Sequence, residues 1–206
     1  GAVLFDILSK FQPKEILIND INKELINTYS QIKNNCFGMI AQLTEIQSIY
    51  KNHSLEENKG FFYEKRTRYN ELKVNGNEAE NLEKAVLFIF LNKTCFNGLY
   101  RVNKKGLFNV PFGKYANPQI CDPMTIRKDS EILQRVEIMT GDFEATFGHA
   151  EGNTLFYFDP PYRPLSDTSS FNDYTKEAFN DDAQIRLKNY CERINDAGFK
   201  FMLSNS

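Results

Sequence analysis

The chain has 206 residues, enough for one large domain or one domain carrying an insertion. Hydrophobic residues make up 41%, which supports a packed core, and the formal net charge of -2 excludes a polycation, so any nucleic-acid surface must be local. Cys36, Cys95, Cys121 and Cys191 form no C-x-x-C pair and no histidine clusters with them, which argues against a zinc or other metal site and predicts reduced thiols of a cytoplasmic protein. With His53 and His149 as the only histidines, a Ser-His hydrolase is disfavoured. No apolar run approaches the ~18 residues of a membrane span.

The chain opens on Gly1-Ala2-Val3-Leu4-Phe5, which enters a helix with no strand before it. EILIND (15–20) is a short apolar run with a polar end, and predicts a buried strand. Ile21, Leu25, Ile26, Tyr29 and Ile32 then recur at helical spacing. Residues 34–82 are polar, with helical periodicity only in pieces, and RYNELK (68–73), carrying both signs of charge, reads as a solvated face. AENLEKAVLFIFLNKTCF (79–96) returns to an apolar helix, with Leu82, Val86, Leu87, Ile89 and Phe90 as core. RVEIMTGDF (135–143), TLFYF (154–158) and FKFMLSNS (199–206) predict three further strands, the last preceded by a helix over about 176–197. Strands separated by helices predict an α/β fold with a parallel sheet. The pattern is interrupted from 34 to 134, which predicts a mostly helical inserted subdomain beside the ligand crevice of a core made of 1–33 and 135–206.

Asp159-Pro160-Pro161-Tyr162 closes the third predicted strand. In an open α/β sheet, ligands sit outside the carboxyl ends of the strands. Two consecutive prolines remove two N–H donors and fix φ, which holds nearby carbonyls out as acceptors. A carboxylate, a rigid carbonyl and an aromatic face together suit a planar ring bearing an exocyclic amine. The plainer alternative is a strand-ending turn with an Asp cap and a surface tyrosine.

Residues 93–121 hold Lys93, Arg101, Lys104, Lys105 and Lys114, with no acid until Asp122. Aromatic residues interleave with them, and NKKG (103–106) predicts a hairpin turn. Basic residues contact phosphate, while Asn and Arg read base edges; a solvated basic loop is the competing account. Asp20 ends a strand and begins a helix, so it is either a ribose acceptor or an ordinary N-cap. Asp142-Phe143, after Gly141, is either part of a ligand pocket or a cap with a staple residue.

The stretches INDINKELINTY, NKTCFNGLYRVNKKGLFNVPFGKY, GDF, FYFDPPYRPLSDTSSFNDY and KFMLSNS, in that order, resemble the Dam-type (alpha-class) DNA adenine-N6 methyltransferases that use S-adenosylmethionine. The resemblance covers nearly the whole chain and is weakest over 34–82. It implies a Rossmann-like methyltransferase sheet with the inserted segment as target-recognition subdomain. It implies that Asp159 and the Pro160 carbonyl accept from the amine of a flipped adenine while Tyr162 stacks on the base. It places the cofactor against Gly1, Asp20, Asp142, Phe143 and Asp159, and duplex DNA against Asn97, Leu99, Arg101 and Pro111, with Lys93, Lys104 and Lys105 on the backbone. Arg101 is the implied base reader and GATC the first guess for the site. SSFNDY (169–174) reads as a loop over the target base, with Tyr174 a weaker candidate for DNA contact.

The resemblance also expects a glycine-rich loop and a central strand before the first helix, where only Gly1 stands, and further strands after Ser206. The expectation is therefore an incomplete core, inactive by itself, whose sheet has a gap, a strand-swapped or packed dimer partner, or a rearrangement. Two other classes stay open at this point: a DNA-binding module without catalysis, and an amino-methyltransferase acting on RNA, cytosine N4 or protein glutamine.

Overall fold

The computed structural model describes residues 1–161 and 179–204. Tyr162, SSFNDY and Tyr174 lie outside the described residues. The chain is a mixed helix–strand protein. In order it forms α1 (Ala2–Lys10), β1 (Leu17–Asp20), α2 (Lys23–Asn34), α3 (Cys36–Asn52), α4 (Leu55–Asn75), α5 (Asn81–Thr94), α6 (Pro123–Leu133), β2 (Glu137–Thr140), β3 (Leu155–Phe158), α7 (Asp181–Asp196) and β4 (Lys200–Leu203). All four predicted strands are present. No described helix is long and apolar enough to cross a membrane.

The described strands form two parallel pairs rather than one continuous sheet. In the first, β1 pairs β2, with Leu17 opposite Glu137 and Asp20 opposite Thr140. In the second, β3 pairs β4, with Leu155 opposite Lys200 and Phe158 opposite Leu203. Parallel pairing needs a crossover, which α7 supplies between β3 and β4.

The chain divides into two compact units. One is Gly1–Arg101 with Leu107–Gly141; the other is Val102–Gly106 with Asp142–Ser206. In the first, α5 packs against α2, α3 and α4, and α2 against α6 and β2. Val86 and Phe90, read from the sequence as core, are fully buried there among Met39, Leu43, Phe62 and Leu133. In the second unit Phe156, Tyr190 and Ile194 are the buried centre, with Phe143, Phe147, Phe158 and Phe199 packed around them.

The polar stretch 34–82 holds two long helices, α3 and α4, and a short 3-10 helix, Glu78–Glu80, before α5. The two long helices are separated at His53–Ser54, where Ser54 and Glu57 form a capping box: the Ser54 side chain accepts from the Glu57 N–H and the Glu57 carboxylate from the Ser54 N–H. RYNELK is not a solvated face. Tyr69 and Leu72 are buried, and Arg68 donates to Glu80 and Glu83 at 2.7–2.9 Å. The charged residues mask the apolar positions because α4 also turns polar side chains inward, Asn58 donating to the Tyr50 carbonyl at 2.9 Å.

Candidate active site and nucleic-acid interface

In the second unit, β3 alternates so that Phe156 is buried while Leu155 and Tyr157 are exposed. The Ser204 N–H donates to the Phe158 carbonyl at 2.8 Å and extends the pairing with β4 to the tip of β3. Asp159 follows at once and is exposed, so its carboxylate is not packed in the interior. Pro160 is half-buried and Pro161 exposed. An open groove of about 470 Å³ borders both prolines, between Leu187 and Cys191 of α7 and Phe201 and Leu203 of β4. Asp159 is not among the described residues that line it.

Tyr190 is the hub of that unit. Its ring lies 6.2 Å from Phe156, 5.8 Å from Phe158, 5.5 Å from Phe143 and 6.2 Å from Phe147, and its hydroxyl shares a 2.9 Å hydrogen bond with Thr146. Burial pushes its phenol pKa up. One ring thereby connects the strand that ends in Asp159 with the turn that carries Asp142 and Phe143.

Asp142 caps the short 3-10 helix Phe143–His149, accepting from the Glu144 N–H at 3.0 Å. The cap that is the competing reading of this residue is present. Arg186 of α7 adds two charged contacts, to Asp142 at 2.8 Å and to Glu144 at 3.0 Å. Sequence reasoning missed Arg186, because the partners are more than forty residues away and an Arg on a helix reads as a solvated charge.

In the first unit, Asp20 is not the N-cap of α2. That role belongs to Asn22, whose side chain accepts from the Glu24 and Leu25 N–H groups. Asp20 instead accepts from the Asn22 N–H at 2.7 Å, through one carboxylate oxygen. The tips of β1 and β2 are held together: Gly141 donates to the Asp20 carbonyl at 3.2 Å, and Asn19 donates to the Gly141 carbonyl at 2.9 Å. Gly1 precedes α1, and a Cβ there would collide with the Tyr29 hydroxyl. Burial raises the Tyr29 pKa, and the charges of Asp129 and Asp20 raise it further.

The recognition candidates follow α5, whose last turn carries Lys93. The chain then reverses: Cys95 bridges Phe112 antiparallel, Phe96 donates to the Pro111 carbonyl at 2.9 Å, and Asn109 donates to the Arg101 carbonyl at 3.1 Å. Gly113 is needed because a Cβ would press on the Cys95 carbonyl at 2.6 Å. Asn97 (φ 53) and Gly98 (φ 61) are consecutive left-handed residues, which turns the backbone and leaves Phe96, Asn97 and Leu99 exposed. Arg101 is half-buried, with Nε donating to Asn109 Oδ1 at 2.9 Å. Lys104 and Lys105 are exposed on the turn closed by the Gly106 N–H on the Asn103 carbonyl, the reversal expected at NKKG.

The two helices of 34–82 carry this segment. Asn70 exchanges two hydrogen bonds with the Phe108 backbone, Arg66 donates to the Val110 carbonyl at 3.2 Å, Tyr50 to the Tyr115 carbonyl at 2.9 Å, and Gln47 accepts from the Ile120 and Cys121 N–H groups at 3.0 Å. These positioning residues have no local signal, since their partners are 38 to 74 residues away.

The family model of the D12 class N6 adenine-specific DNA methyltransferases matches residues 1–206. The chain belongs to that family. It is 45% identical over 206 residues to the type II methyltransferase M.MjaIII of Methanocaldococcus jannaschii, covering 100% of this chain and 70% of that protein. It is 39% identical over 208 residues to the type II methyltransferase M1.LlaDCHI of Lactococcus lactis subsp. cremoris, covering 100% and 69%. A DNA adenine methylase of Vibrio cholerae is 32% identical over 194 residues, covering 92% of this chain and 64% of that protein. Family membership accounts for the motif order along the chain, including the polar stretch where the resemblance is weakest.

Proposed function

We propose that this chain transfers a methyl group from S-adenosylmethionine to N6 of an extruded adenine in duplex DNA, with Asp159 at the reacting amine. The observation that carries the reading is an exposed carboxylate at the carboxyl end of β3, followed by two prolines, in a chain of the D12 family. When bound, the cofactor supplies an electrophilic sulfonium methyl. Asp159 and the Pro160 carbonyl accept from the target amine and aim its lone pair, and Tyr162 stacks on the base. Positioning and electrostatics carry the reaction; no metal and no covalent enzyme intermediate are required.

The donor set suits the cofactor. Asp20 keeps one carboxylate oxygen outside its contact with Asn22, as a ribose acceptor needs, and Asp142 with Phe143 offers an acceptor beside an aromatic ring. Gly1 lies against Tyr29, and a Cβ there would collide with the Tyr29 hydroxyl. Arg101 is the base reader, Asn97, Leu99 and Pro111 touch the duplex, and Lys93, Lys104 and Lys105 neutralise phosphates. Residues 34–134 are the target-recognition insertion and 1–33 with 135–206 the Rossmann-like catalytic core. The parallel pairing of all four described strands and the pedestal of Asn70, Tyr50 and Gln47 under the basic segment support this division. The four cysteines are read as reduced thiols of a cytoplasmic protein.

The test is transfer of labelled methyl from S-adenosylmethionine to unmethylated duplex by the intact protein. Asp159→Ala should abolish transfer and leave duplex binding largely intact; a near-normal rate would overturn the assignment. Single-stranded RNA and duplexes of G·C pairs alone in the same assay separate the RNA and cytosine substrates. Sequencing methylated plasmid from expressing cells reads the recognition site, with GATC expected.

A further inference from the structure

Arg186 makes three convergent contacts with one short segment. Nη2 donates to Asp142 Oδ1 at 2.8 Å, Nε donates to Glu144 Oε1 at 3.0 Å, and the guanidinium carbon lies 5.1 Å from the centre of the Phe143 ring. The side chains are far from buried: Arg186 is 49% exposed, Asp142 and Glu144 each 42%. Ion pairs this exposed add little to folding stability, so stability does not explain the arrangement. Geometry does. A guanidinium is a rigid planar fork, and two carboxylates on it are each restricted to one orientation. Both the guanidinium and the Glu144 N–H use Oδ1 of Asp142, and Oδ2 takes part in neither contact.

We infer that Arg186 is a positioning residue for the cofactor: it locks the Asp142 carboxylate so that Oδ2 faces the adenine 6-amino group of S-adenosylmethionine, and it steadies the Phe143 ring that stacks on the same base. The inference rests on the reading of Asp142 and Phe143 as adenine holders. Because the guanidinium, shared with Glu144, offsets part of the Asp142 charge, the carboxylate meets a neutral amine at lower desolvation cost than a lone charge would.

The experiment is calorimetric titration of the intact protein with S-adenosylhomocysteine and with the analogue bearing hydrogen in place of the 6-amino group. Arg186→Gln should weaken the parent ligand roughly tenfold, the scale of one positioned charged hydrogen bond, and weaken the deaminated analogue, which keeps only the stacking on Phe143, much less. Arg186→Lys, which keeps the charge but not the fork, should fall between. Duplex affinity should not move. Equal weakening of both ligands would make Arg186 merely structural and overturn the inference; so would unchanged or tighter binding, the latter marking Arg186 as a latch that competes for Asp142. Asp142→Asn and Phe143→Ala run alongside: if they weaken the parent ligand while Arg186→Gln does not, only the inference fails. If none of the three matters, the assignment of the adenine pocket fails with it.

Discussion

Asn70 and Phe108 exchange two hydrogen bonds: the Asn70 amide donates to the Phe108 carbonyl at 3.0 Å, and the Phe108 N–H donates to Asn70 Oδ1 at 2.8 Å. One side chain on α4 thus stands in for a neighbouring strand. Phe108 is buried, so water cannot replace the lost partner.

Asn70→Ala should therefore cost ~1–3 kcal/mol, the penalty for unpaired buried backbone groups. Denaturant unfolding reads the stability, and duplex affinity should drop as the basic segment loosens, with S-adenosylhomocysteine affinity unchanged. Equal loss of both affinities would show a global defect instead.

Arg101 and Asn109 should act as a pair. Arg101→Ala should lose ~1–3 kcal/mol of discrimination between the cognate duplex and one with a single changed base pair. Asn109→Leu, which releases Nε, should lose part of that discrimination through the same residue. In the double variant the Asn109 effect should vanish. The check is competition binding at one fixed salt concentration, since phosphate contacts make every affinity salt-dependent. Strict additivity would mean that Asn109 does not orient Arg101.

At Tyr190 the hydroxyl and the ring separate cleanly. Tyr190→Phe removes the bond to Thr146 and should cost ~1 kcal/mol. Tyr190→Ala opens a hole among four phenylalanine rings and should cost ~3–5 kcal/mol. Because the ring touches both Phe143 and Phe158, the Ala variant should also lose cofactor affinity and transfer rate while keeping duplex binding. Retained transfer in Tyr190→Ala would show that the two segments do not depend on this ring.

Asp129 on α6 carries a signed pH prediction. Burial raises its pKa, and the charge of Asp122 adds to the rise. A raised folded pKa means that its contribution is fully present below the unfolded value of about 3.9 and is lost as pH rises through the folded one. Asp129→Asn should then raise the thermal midpoint at neutral pH, and the gain should shrink as pH falls to about 4. Asp122 behaves oppositely: its bonds from Thr125 lower its pKa, so its share is present above the unfolded value and lost as pH falls through the folded one. A gain independent of pH at position 129 would exclude the titration account.

Much of the molecule is legible without coordinates. The apolar runs that become β1, β2, β3 and β4, the apolar face of α5, the turn at NKKG and the placement of Asp159 at a strand end all follow from local alternation, periodicity and turn chemistry, which act within a few residues. The order of the motifs carries the family as well. The tertiary structure decided what depends on distant partners. It turned RYNELK inward at Tyr69 and Leu72, and brought Arg186 onto Asp142 and Asn70 onto Phe108. A side chain's polarity says only that it needs a partner; which backbone group or carboxylate meets that need, across forty or seventy residues, is settled when the helices pack.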